Sequence, residues 1–147
     1  MSKSLFKQIS ILSAILGAIL GLLSLIPVVR NVSVIAVTVL LAPVIIIYFK
    51  KLNILQEVDL KNGMIIGTIA GVISIITYVV AFTPIVLLLS LFIKNGYIEW
   101  ISVLIKNAGF FIYIMLLSFM CILNAITNAF SGLATAYLYE FLKGMKE

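Results

Sequence analysis

The feature that most constrains this chain is the length of its uncharged apolar runs. Gly63 to Ile93 and Ala108 to Tyr139 contain no Asp, Glu, Lys or Arg, and neither do the shorter runs from Ile9 to Val29 and Val32 to Phe49. A soluble domain carries about 25% charged residues. Here the charged fraction is 10% and mean hydropathy is +1.31, which predicts an all-α integral membrane protein. Four transmembrane helices in a single bundle follow, with approximate spans 9–29, 32–49, 63–82 and 108–139.

Length alone argues that the third run is interrupted. As one helix, Gly63 to Ile93 would measure about 46 Å, against a hydrocarbon core of about 30 Å. Thr83-Pro84 is the expected interruption, because the residue before proline is pushed out of the helical region. That leaves a proline-broken extension to residue 93. Ala108 to Tyr139 would need a tilt of about 50° to fit, beyond the usual range, so one end should project from the hydrocarbon.

The turns are read from prolines and charges. Pro27 is expected to close the first helix, with Arg30-Asn31 as a tight polar turn, and Pro43 to kink the second. Lys50 to Asn62 reads as a solvated connection, with Asp59 as N-cap of the third helix. Between the third and fourth helices, Ile98, Ile101 and Ile105 share one helical face while Glu99, Ser102 and Lys106 share another. With Tyr97 and Trp100 beside them, they predict a short helical segment lying in the membrane interface.

The N-terminal apolar run is longer than a signal-peptide core and lacks a small-residue cleavage pattern, so it reads as a retained first span. Lys3, Lys7, Lys50, Lys51, Lys61, Lys143 and Lys146 fall on one side of a four-span topology, and Arg30, Lys94 and Lys106 on the other. The positive-inside rule then places both termini in the cytoplasm, with the plasma membrane as the expected location.

Small residues mark the packing faces. Gly17 and Gly21, flanked by Ser13 and Ser24, give the first helix a close-contact surface, and Gly67 and Gly71 do so for the third. Gly17-x-Ile19-x-Gly21-x-x-Ser24-x-Ile26 is echoed by Gly67-x-Ile69-x-Gly71-x-x-Ser74-x-Ile76. Either a duplicated hairpin or convergent small-residue packing accounts for the echo. From Asn124 to Ala136 every side chain is small or polar except Ile126, Phe130 and Leu133, which Tyr137 continues as one outward stripe. This stretch, with Gly132 within it, is expected to be the central packing element.

Chemistry is harder to find. The chain has no histidine and a single cysteine, Cys121, which excludes an intrachain disulfide and removes the commonest general base and metal ligand. No span carries an acid or base at depth, so the expectation is no enzyme, no cofactor and no metal site. The basic residues form no stripe, which argues against nucleic acid. The remaining polar cluster is Asn124, Thr127, Asn128 and Thr135. It predicts interhelical hydrogen bonds within a non-catalytic module that binds lipid or protein, or the lining of a small channel or carrier subunit for an uncharged or weakly charged solute. The expected partners are the lipid bilayer and a second copy or another membrane protein. The pattern identifies no family.

Overall fold

A computed structural model describes residues 3–55, 58–93 and 96–145. Lys94 and Lys146 of the charge asymmetry, Glu57 of the connection and Glu147 of the tail lie outside the described residues. The described residues form helices and no strand: α1 (Lys3–Leu23), α2 (Pro27–Lys51), α3 (Leu60–Phe92) and α4 (Gly96–Gly144). All four are long and apolar enough to cross a membrane.

The first proline acts opposite to expectation. Pro27 opens α2 instead of closing α1, so Arg30 and Asn31 lie inside the helix and the turn is Ser24 to Ile26. The reason is local: proline lacks only an N–H that the first helical turn leaves unpaired anyway, and Ile26 before it is extended at φ −86°, ψ 115°. At the other end, Asn53 takes φ 56°, a left-handed conformation that asparagine tolerates and that stops the helix. Asp59 caps α3 as expected, its Oδ1 accepting the Asn62 N–H at 2.8 Å.

Thr83-Pro84 does not interrupt α3, which runs unbroken from Leu60 to Phe92. Proline removes one ladder bond, to the Val80 carbonyl, and a helix packed among others absorbs that loss without ending. The real break falls later. Gly109, at φ 70° and ψ 159°, divides α4 into limbs 96–108 and 110–144. That backbone region is essentially restricted to glycine. The short helical segment expected before the fourth span is therefore present as the first limb, with Glu99 and Lys106 exposed and Ile98 buried. Ser102, expected on its polar face, is buried, and its Oγ donates to the Glu99 carbonyl at 2.9 Å.

The hub is α3, not the Asn124–Ala136 stretch of α4. α3 packs along α4 on one face and along α1 on another, and it meets the second half of α2. Added Cβ atoms at Gly67 and Gly71 would run into backbone at Asn128–Ala129 and Asn124–Ala125, while Cβ atoms at Gly17 and Gly21 would strike Ser74 and Tyr78. Two faces of α3 are thus in contact at backbone distance, which long side chains on either partner would prevent. The echoed glycine motifs serve different pairings: α1 uses its motif on α3, and α3 uses its own on α4. As expected, Ile126, Phe130 and Tyr137 face outward, while Leu133 is half-buried.

The apolar core lies toward the end of the bundle that holds the start of α3. Ile9, Leu41, Ile45, Ile46, Phe49 and Ile66 are buried there, closed below by Leu55 and Val58 of the connection.

Candidate functional site

Where α2, α3 and α4 meet, the backbone of α2 is itself irregular. Ala36–Leu40 forms a π-helical turn, and Pro43, which has no N–H, follows one turn later. A widened turn and a proline together leave ladder groups without their ordinary α-helical partners. Sequence reasoning located the disturbance at Pro43 but not its form.

Asn128 fills this gap. Its side chain is fully buried, Oδ1 accepts the Ala42 N–H at 3.1 Å, and Nδ2 donates to the Val37 and Thr38 carbonyls, each at 3.0 Å. In an unbroken α-helix the Ala42 N–H would donate to the Thr38 carbonyl. Here the carboxamide, chemically a peptide group, inserts between them and satisfies both sides. Nδ2 also donates to the Asn124 carbonyl at 3.1 Å, so both amide hydrogens are engaged.

One turn earlier, Asn124 points to the other neighbour. It is 2% exposed, and Nδ2 donates to the Gly71 carbonyl at 2.7 Å and, at 3.4 Å, to Ser74 Oγ. Gly71 makes this geometry available, because any side chain there would hold the backbone of α4 away. Asn124 Oδ1 and Ser33 Oγ are buried without a protein partner.

The other two candidates do not join. Thr127 Oγ1 donates to Leu123 O at 3.0 Å and Thr135 Oγ1 to Ser131 O at 2.8 Å, both within α4 itself. This back-bonding is the ordinary fate of a hydroxyl on a helix. Two hydroxyl pairs that were not expected tie the far half of the bundle: Ser24 Oγ to Tyr78 OH at 2.5 Å, and Thr83 Oγ1 to Tyr113 OH at 2.8 Å. At the same end, the Arg30 guanidinium sits 4.1 Å over the Tyr97 ring. Gly63 was also missed as a contact, though it extends the Gly67, Gly71 spacing by one further step of four and meets Gly132.

The arrangement holds the helices in register through side-chain amides, hydroxyls and backbone carbonyls. Among the described residues no group of three or more His, Cys, Asp or Glu is placed to hold a metal ion. Comparison with known protein families, with curated proteins and with solved structures finds no match.

Proposed function

We propose that this chain is a non-catalytic integral membrane module that acts by contact with lipid or with another membrane protein, a second copy included. Both termini face the cytoplasm from the plasma membrane, and the first limb of α4 lies at the opposite interface with Trp100 among the headgroups. The observation that carries this reading is the use made of the buried amides. Asn128 is spent on the α2 backbone and the Nδ2 of Asn124 on the α3 backbone, where a solute path would need those groups turned toward water. What is left to meet a partner is the outer surface, where Phe110, Phe111, Phe119 and Phe130 are all exposed.

Reconstitution into vesicles tests the reading. Swelling assays with small uncharged solutes such as urea and glycerol are expected to give the rate of protein-free vesicles. Permeation by the wild-type chain that Asn128→Leu alters without lowering thermal stability would overturn it in favour of a channel or carrier subunit.

A further inference from the structure

Two buried polar atoms stand outside the hydrogen-bond network of the bundle, Ser33 Oγ on α2 and Asn124 Oδ1 on α4, in residues only 1% and 2% exposed. Ser33 departs from the habit of helical hydroxyls here. Ser13, Ser74 and Thr135 each donate to a carbonyl three or four residues earlier, whereas Ser33 Oγ bonds nothing in its own helix. Asn124 Nδ2 is held by the Gly71 carbonyl, which leaves Oδ1 on the arm of the carboxamide that points away from α3.

Helix register brings the two atoms to one level. α2 and α4 run parallel: Asn128 reaches the Val37 and Thr38 carbonyls, and farther along both helices Phe49 and Ala136 share one core cluster. Counting back at 1.5 Å per residue, Asn124 is about 6 Å from Asn128 along its axis, and Ser33 about 6–8 Å from Val37 and Thr38 along its own. Ser33 also opens the inward stripe of α2, which continues through Val37 and Leu41 to Ile45. Yet no Cα of residues 27–35 comes within 8 Å of a Cα of α4. Two short polar side chains facing across such a distance are joined by one intervening molecule and two hydrogen bonds, each about 2.7–3.2 Å.

The two atoms select that molecule. Asn124 Oδ1 only accepts, so the occupant must donate, while the Ser33 hydroxyl can donate or accept. Hydrocarbon would leave both atoms unsatisfied. A cation would lie at depth with no carboxylate to balance it, because none of the four apolar runs contains Asp or Glu. Water is neutral, small enough to be enclosed, and uses both partners.

We propose that one water molecule is bound between Ser33 Oγ and Asn124 Oδ1, and that it supplies the hydrogen-bonded tie from the first half of α2 to α4 inside the bundle.

Crystals of the full chain grown from a lipidic mesophase, diffracting far enough to show ordered water, test the site. The expected density is a single peak within hydrogen-bond distance of both atoms. Absence of the peak overturns the proposal, as does a direct bond between Ser33 and Asn124 or a Ser33 hydroxyl returned to the Val29 carbonyl. A file of waters running from the peak to the surface would overturn it too, and would favour the channel alternative. Thermal unfolding in detergent gives an independent reading. Ser33→Ala removes one partner without adding bulk and should lower the midpoint by about 2 °C. An unchanged or raised midpoint would mean that the hydroxyl has no partner at all, since deleting an unsatisfied buried group is neutral or stabilising, and the proposal would fall. In an Asn124→Leu background, where the water has already lost its acceptor, Ser33→Ala should have no further effect. Equal losses in both backgrounds would show that the two residues act separately and would also overturn the bridge.

Discussion

Along one interface, α3 against α4, the molecule changes its building material. From Gly63 opposite Gly132, through Gly67 opposite Asn128, to Gly71 opposite Asn124, contact is backbone on backbone, repeated every four residues with the chains antiparallel. Beyond it, Thr83 meets Tyr113 through two hydroxyls, and the second limb starts from Gly109 with Phe110 and Phe111 largely exposed to the surroundings. α2 divides at the same level: the backbone of residues 27–35 approaches α1 but neither α3 nor α4, Arg30 reaching Tyr97 of α4 only through its side chain, whereas the backbone of the π-turn and the segment after it approaches both. The difference teaches that the two glycine classes do unrelated work. Gly67 is required by a neighbour's proximity, Gly109 by its own φ and ψ.

Substitutions that add bulk at the close half should separate the halves most clearly. Gly67→Leu would drive its side chain into the α4 backbone at Asn128 and Ala129 and should cost about 3 kcal/mol or prevent folding, the upper end for overpacking. Phe119→Leu, on the exposed face, should stay within about 0.5 kcal/mol. Thermal unfolding in detergent reads both, and similar midpoints for the two would remove the distinction between the halves. Gly132→Leu beside Leu133→Phe repeats the comparison within α4, and greater damage at Leu133 would mean that Leu133, not Gly132, faces α3.

The amide insertion should come next. Asn128→Leu strands the Ala42 N–H and two carbonyls in the interior, at about 1–3 kcal/mol. Asn124→Leu loses donation to α3 but also removes a carbonyl oxygen that has no protein partner, so its cost should be smaller, about 0.6–1.7 kcal/mol. If denaturant midpoints ranked Asn124→Leu as the worse of the two, the α2 break would not depend on Asn128.

Gly109→Ala isolates the backbone cause in the open half. No atom obstructs the new methyl, so its cost of about 1–3 kcal/mol is conformational strain. The strain is relieved if the limbs straighten into one helix. Double electron–electron resonance between labels at Trp100 and Ile122, in a Cys121→Ser background, should then lengthen relative to the glycine parent. An unchanged distance with unchanged stability would show that Gly109 does not set the bend.

Tyr113→Phe should have the smallest effect. It leaves Thr83 able to back-bond within α3 and should cost about 0.6 kcal/mol, the average for an interhelical bond in a membrane bundle. A loss above that of Asn128→Leu would make the open half the better-held one.

Local chemistry made much of this legible. Four uncharged runs became four helices, Asp59 capped where a short acidic side chain should, and the small residues at Gly17, Gly21, Gly67, Gly71 and Gly132 all lie against backbone or buried neighbours. These follow from side-chain size, charge and spacing along one helix, which the sequence carries by itself. The prolines were read less well because their effect depends on position in a helix not yet delimited: Pro27 suits a first turn, Pro84 is tolerated inside, and Pro43 sits just past a widened turn.

Only the tertiary structure decided which helix is surrounded, since both α3 and α4 carry small residues and periodicity cannot say what stands opposite them. It also decided where the amides go. Asn124 and Asn128 are one turn apart on one helix, and their different fates depend on a carbonyl bared by Gly71 and a ladder opened in α2, at positions 53 and 86 residues away in the chain. A hydrogen-bond partner supplied by another helix leaves no trace in the spacing of the residue that uses it, because donor and acceptor meet only after the helices have packed.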